Sequence, residues 1–241
     1  MSSFQFKHFS IRQINAAMKI GTDALLLGSL CDFTHSEKLL DIGTGTGVLS
    51  MMLAQRFNPS SITALEIDAG AVTDAQFNFD QSLFSTELNL VHQDLRTWNT
   101  NERFDGIITN PPFFENSSKS ESEQRNTARH TDDLPFEVLL SVCSNLLNDS
   151  GCLWMIVPTT ALETILINAE ASQLFPNKII HVHGKPNRPV RIILAFTKIK
   201  MTFTESVFTV RDEAGNYTTE YIELTRDFHS VDLAIRQRDN Q

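Results

Sequence analysis

Lys38-Leu39-Leu40-Asp41-Ile42-Gly43-Thr44-Gly45-Thr46-Gly47 sets a short apolar run against a loop with a glycine at every second position. The run reads as a buried strand, and Val48 to Phe57, closed by Asn58-Pro59, follows it with helical period. Glycine permits positive φ and lets a ligand lie against the backbone, while the start of a helix presents free N–H groups. The dinucleotide spacing G-x-G-x-x-G, which sets a pyrophosphate on the helix N-terminus, is not met here. Asp41 stands just before the first glycine, where a carboxylate repels phosphate and suits the amino group of a methionine moiety. S-adenosylmethionine has no phosphate and is the cofactor expected, with Asp41, Gly43, Gly45 and Gly47 as its first contacts.

Outward from this unit, short apolar runs alternate with segments of helical period, the pattern of a mostly parallel sheet covered by helices. Ser61 to Ile67, Leu88 to His92, Phe104 to Thr109 and Cys152 to Val157 read as further strands. Ala69 to Phe84, Leu134 to Leu147 and Thr159 to Leu174 read as helices, the second stopped by Asn148-Asp149-Ser150-Gly151. Lys178 to His183 and Val190 to Lys198 are joined by Gly184-Lys185-Pro186-Asn187-Arg188-Pro189, too short for a crossover, so this last pair is expected to be antiparallel. Ser206 to Arg211 and Tyr217 to Leu224 flank Glu213-Ala214-Gly215-Asn216 and read as an added hairpin. The fold class expected is α/β and Rossmann-like: a seven-stranded, mostly parallel sheet with an antiparallel last strand, helices on both faces and a small C-terminal β-hairpin. One domain over 1–241 is expected, with a covering segment at 1–37, a catalytic core at 38–200 and the hairpin and tail at 201–241. The polar stretch Glu115 to Asp133 has no periodicity and reads as a long loop, which in a compact domain is usually functional.

Glu66 ends the second strand, at the height where such sheets place an acid to accept ribose hydroxyls, with Asp68 as the alternative. Asp94 follows the third strand and could accept from an adenine amino group, or equally cap a helix. After the fourth strand comes Asn110-Pro111-Pro112-Phe113. The Asn side-chain oxygen and the next backbone carbonyl can each accept from a planar NH2, the prolines stiffen the backbone, and Phe113 offers a flat face. The glycine loop and this turn are expected on one carboxyl edge, so donor and acceptor can meet. The chemistry expected is in-line displacement, in which the target nitrogen attacks the sulfonium methyl while Asn110 and Pro111 hold it. Neither a metal-ligand set nor a nucleophile elbow is visible.

The balance of the 241 residues, 41% hydrophobic and 20% charged, suits an ordinary core. Cys31, Cys143 and Cys152 have no metal spacing and read as core thiols of a reducing compartment. No apolar leader follows Met1 and no run approaches a membrane span, so a cytoplasmic protein without membrane contact is expected. A net charge of -9 argues against a generic, backbone-driven nucleic-acid binder. Yet Ala171 to Thr204 contains no acid and holds Lys178, Lys185, Arg188, Arg191, Lys198 and Lys200 with His181 and His183. Lys7, His8, Arg12 and Lys19 make a smaller basic zone.

Over nearly its whole length the chain resembles the bacterial methyltransferases that modify adenine N6 beside the anticodon of a valine tRNA. The resemblance rests on Phe6-Lys7-His8-Phe9-Ser10-Ile11, Met18-Lys19-Ile20-Gly21-Thr22-Asp23 with Leu25-Leu26-Leu27-Gly28, the Asp41 to Gly47 loop and Asn110-Pro111-Pro112-Phe113-Phe114. It continues through Arg125-Asn126-Thr127-Ala128-Arg129-His130, Lys185 to Arg191 and Tyr217 to Tyr221. It implies S-adenosylmethionine, a tRNA anticodon stem-loop as partner, and a Lys19 to Thr22 turn folding over the cofactor, with Lys19, Gly21 and Thr22 as contacts. Many related sites have Tyr where this chain has Phe113; the ring makes the platform, so stacking is expected to survive the exchange. A tRNA loop needs an aromatic platform and a few local cations, a demand that an acidic body with basic patches meets. Arg125, Arg129, Lys185, Arg188 and Arg191 are the expected phosphate contacts. The alternative is N5-methylation of a protein glutamine, whose primary amide offers the same NH2. Such enzymes generally carry a sizeable helical domain where this chain has only the segment before residue 38. Duplex DNA is the weaker rival, because base flipping usually needs a large recognition region.

Overall fold

The computed structural model describes residues 3–112 and 134–234. Within them the order is β1 (Ser3–Gln5), β2 (Ser10–Arg12), α1 (Thr22–Leu30), β3 (Lys38–Ile42), α2 (Val48–Phe57), β4 (Ser61–Glu66), α3 (Ala69–Asp80), β5 (Leu88–His92) and β6 (Phe104–Thr109). After the undescribed stretch come α4 (Phe136–Leu146), β7 (Leu147–Val157), a 3-10 turn at Thr159–Ala161, α5 (Leu162–Ala171), β8 (Phe175–Lys185), β9 (Arg188–Thr197), β10 (Thr204–Thr209) and α6 (Thr219–Thr225). β1 and β2 form a small antiparallel ribbon, and the other strands make one sheet in the order β10-β8-β9-β7-β6-β3-β4-β5. Only β9 runs against its neighbours β7 and β8.

Strands buried on both faces need apolar side chains at consecutive positions, as at Leu39-Leu40 of β3, Ile107-Ile108 of β6 and Leu153 to Val157 of β7. Alternation along each strand then splits the core in two. Leu39 and Ile108 face a cluster with Leu26 and Leu27 of α1, Met51 and Leu53 of α2, Phe79 of α3 and Tyr221 of α6. Leu40 and Ile107 face the other side, with Leu139 and Cys143 of α4 and Ile165 of α5. At Gly106 this packing is tight: a Cβ there would stand 2.3 Å from two atoms of the Phe33 ring and 2.7 Å from Leu39 Cδ2. Gly106→Ala is therefore expected to destabilise the fold by about 1–3 kcal/mol through overpacking, read as a lower midpoint in urea.

Three sequence expectations are corrected. The sheet has eight strands, because β10 adds to β8 in parallel register, Thr204 opposite Lys178 through Thr209 opposite His183. The expected hairpin from Ser206 to Leu224 does not form; its second arm is α6, and the bridge between Arg211 and Tyr217 is what remains of the pairing. The reason lies in local signals. Thr218 caps the helix by accepting from Tyr221 N at 3.1 Å, and Tyr217 and Tyr221, four apart, stack with centroids 4.7 Å apart. Asn148 to Gly151, expected to separate helix from strand, lie inside β7 as an irregularity: Phe104 pairs with Leu147 but Gly106 with Cys152. Asn148 Nδ2 holds this bulge by donating to Asp105 Oδ1 at 2.7 Å.

Candidate functional site at the carboxyl edge of the sheet

Parallel register decides which loops meet. Ile42 of β3 lies opposite Thr109 of β6 on one side and Leu65 of β4 on the other. Gly43 and Asn110 therefore leave the sheet side by side, on strands about 4.8 Å apart. Thr109 Oγ1 reinforces this by donating to the Ile42 carbonyl at 3.0 Å. Asn110 is half-buried, Pro111 buried and Pro112 exposed. Phe113, Arg125 and Arg129 lie outside the described residues.

The glycine loop needs its glycines for two different reasons. Gly43, Gly45 and Gly47 all have positive φ, at 69°, 59° and 84°. A Cβ on Gly43 or Gly45 would meet nothing within 4 Å, so both face open space, whereas one on Gly47 would stand 2.3 Å from Phe79 Cε1. The first two leave room for a ligand and the third lets α2 and α3 close up. Asp41 is fully buried, and its Oδ2 accepts from Thr44 Oγ1 (2.6 Å), Ser50 Oγ (2.7 Å) and Ser50 N (3.1 Å). Its Oδ1 is buried without a partner. Burial pushes the Asp41 carboxyl up to about 6, against the pull of the Thr44 and Ser50 hydrogen bonds, and nearby Glu66 adds to the rise.

Glu66 also shapes the loop. Its Oε2 accepts from Gly45 N at 2.8 Å, and its Oε1 from Ile67 N and Asp68 N at 2.9 Å each. Asp68, the alternative to Glu66, is committed elsewhere: Oδ1 caps α3 by accepting from Ala71 N at 2.7 Å. No helix follows Asp94 before β6, so its carboxylate is not a helix cap but closes a local turn onto Arg96. It receives Arg96 Nε on both oxygens (3.0 and 2.8 Å) and Arg96 N at 2.8 Å, and these bonds hold its carboxyl below the usual range.

Lys19 and Gly21 sit in the segment leading to α1, which begins at Thr22. Gln13 ties this segment back on itself, accepting from Ile20 N at 2.9 Å while its carbonyl accepts from Lys19 Nζ at 2.5 Å. Lys185, Arg188 and Arg191 lie where β8 ends and β9 begins, and β9 is antiparallel to β7 with Ile192 opposite Val157. That places them on the same edge as Asn110. Arg191 pairs with Asp23 at 2.8 Å and so also anchors α1. Lys178, Lys198 and Lys200 fall at the opposite edge. Residue types alone did not mark Asp74 and Asn78, two buried polar side chains on α3 that hold the N-terminal segment; the available signal was their spacing of four within a helix. A cavity of about 540 Å³ lined by His8, Gln55, Arg56 and Asp227 is at the far end of α2, where Arg56 is engaged with the Gly28 and Cys31 carbonyls. No helix of the described residues is long and apolar enough to cross a membrane, and no cluster of three His, Cys, Asp or Glu among them could hold a metal.

The family model of the methyltransferase small domain matches residues 9–169. A protein of Vibrio vulnificus (strain YJ016) named tRNA1(Val) (adenine(37)-N6)-methyltransferase is 41% identical over 227 residues, covering 94% of this chain and 95% of its own. A Bacteroides fragilis (strain ATCC 25285) protein of the same name is 40% identical over 230 residues, covering 94% and 97%. Among solved structures, a predicted O-methyltransferase from Agrobacterium tumefaciens superposes with a TM-score of 0.69 over 85% of this chain and 96% of its own, at 19% identity. That last likeness concerns the fold.

Proposed function

Since this chain belongs to the family of tRNA1(Val) (adenine(37)-N6)-methyltransferases, we propose that it methylates N6 of adenine 37 in a valine tRNA, in the cytoplasm, with S-adenosylmethionine as donor. The observation that carries the reading is the register of Ile42 with Thr109, which brings the Gly43 to Gly47 loop beside the Asn110 turn. The residues fit the cofactor: open space over Gly43 and Gly45, an unpaired buried oxygen on Asp41 and a fixed carboxylate at Glu66. When bound, S-adenosylmethionine supplies an electrophilic methyl on sulfur.

Asp41 would take the ammonium of the methionine moiety, Glu66 the ribose hydroxyls, and the Lys19 to Thr22 segment would cover them. Asp94 would reach the adenine amino group only by sharing its carboxylate with Arg96. On the acceptor side, the Asn110 amide oxygen and Pro111 carbonyl would accept the two N–H bonds of the target amine. Holding both hydrogens fixes where the nitrogen lone pair points, and this positioning is the source of rate. Phe113 would stack on the base. Valine tRNA from cells deprived of this protein should lack N6-methyladenosine at position 37; its persistence there would count against the reading.

Two predictions follow from the electrostatics. Because the Asp41 carboxyl titrates near 6, its charge is costly to the empty fold as pH rises through that value, and a bound ammonium offsets the cost. Cofactor affinity should therefore fall as pH drops below 6, by up to about tenfold per unit, and Asp41→Asn should flatten that dependence in calorimetry. For tRNA, Lys185→Ala with Arg188→Ala at the carboxyl edge should weaken binding and reduce the log–log salt slope by about 2, whereas Lys198→Ala with Lys200→Ala should leave it unchanged.

A further inference from the structure

On α3, Asp74 and Asn78 are buried polar side chains whose hydrogen bonds run out to another part of the chain. Asp74 accepts from Asn15 N (2.7 Å), Ala16 N (2.9 Å) and Asn15 Nδ2 (3.0 Å). Burial pushes its carboxyl up, and the amides of Ala16 and Asn15 pull it down further, so that it stays below the usual range. Asn78 Oδ1 accepts from Arg12 N at 2.8 Å, while its Nδ2 donates to the carbonyls of Arg12 (3.0 Å) and Thr46 (2.9 Å). Thr46 belongs to the glycine loop, so a single amide group joins that loop to the N-terminal segment. Gly70 completes the seat, because a Cβ there would come within 2.7 Å of the Asn15 carbonyl oxygen.

The far end of the segment is fixed by Asp23 on Arg191 of β9. In the sheet, β4, which leads into α3, and β9 bracket β3, β6 and β7, and so bracket both the glycine loop and Asn110. Residues 16–23 thus form a strap from α3 to Arg191 of β9, folded back on the way where Gln13 accepts from Ile20 N at 2.9 Å.

We propose that Asp74 and Asn78 are positioning residues that latch this strap to the glycine loop and thereby set the affinity for S-adenosylmethionine. The inference rests on the methyltransferase reading. Without Asn78, the Thr46 carbonyl and the Arg12 backbone lose their partners, the loop relaxes, and a pre-organised site becomes one that binding must order. The acceptor grip at Asn110 hangs from β6 and is untouched, so the loss falls on binding rather than on turnover.

The test uses full-length Asn78→Leu, Gly70→Ala and Asn15→Ala, with cofactor binding followed by calorimetry and KM and kcat by steady-state methylation of tRNA. Gly70→Ala crowds the Asn15 carbonyl from α3 and Asn15→Ala disturbs the latch from the strap side, so they decide the matter if Asn78→Leu does not fold. Dissociation constant and KM for S-adenosylmethionine should rise together by roughly tenfold in the folded variants, with kcat within about twofold of the unaltered chain. Unchanged cofactor affinity, or a fall in kcat alone, overturns the latch. If the unaltered protein itself fails to bind S-adenosylmethionine, the methyltransferase reading falls, and the latch with it.

Discussion

Asn110→Ala is expected to bind S-adenosylmethionine as the unaltered chain does and to lose methyl transfer by about 10²- to 10³-fold. Asn110 follows β6 at the edge and is half-buried, while the carboxylates that would meet the cofactor belong to β3 and β4. The substitution removes one of the two acceptors that would hold the target amine and leaves Asp41, Glu66 and the glycine loop in place. Single-turnover transfer from labelled cofactor to tRNA gives the rate, and calorimetry gives the cofactor affinity. A variant that no longer binds cofactor would put Asn110 in the donor half of the site.

Glu66→Ala and Asp68→Ala should separate sharply. Glu66 receives three backbone N–H groups, one of them from Gly45, so its loss frees the loop as well as the ribose contact. Two charge-assisted hydrogen bonds to ribose at about 1.5 kcal/mol each correspond to a loss of affinity of roughly 100-fold. Asp68 caps α3, so Asp68→Ala should cost about 1 kcal/mol of stability and leave cofactor affinity within a few-fold. The opposite pattern would assign the ribose to Asp68.

How legible this was depended on how local each signal is. β3, α2, β5 and β6 were readable to their ends, since an apolar run bounded by turn residues is a property of neighbours in sequence. The stretch 206–224 misled because Thr218 and the four-residue spacing of its tyrosines outweigh a turn composition that suggests a hairpin. Asp94 reads from sequence as a candidate helix cap, but its partner is Arg96, two residues away, and no helix follows before β6. The latch was not visible, because Arg12 meets Asn78 across 66 residues. The basic zone between residues 171 and 204 shows the same limit in another form. A linear count treats its cations alike, but the turn between β8 and β9 sends Lys185, Arg188 and Arg191 to one edge of the sheet and Lys178, Lys198 and Lys200 to the other. The acidic total charge says nothing about that division.

The central claim is that this sheet edge brings a methyl donor to the N6 amino group of a tRNA adenine. Purified protein incubated with labelled S-adenosylmethionine and, separately, valine tRNA, the same tRNA with adenine 37 replaced by guanine, and a release-factor protein tests it most directly. Digestion to nucleosides should return the label as N6-methyladenosine from the first tRNA and none from the second. Label in the protein glutamine instead, or equal labelling of both tRNAs, would contradict it.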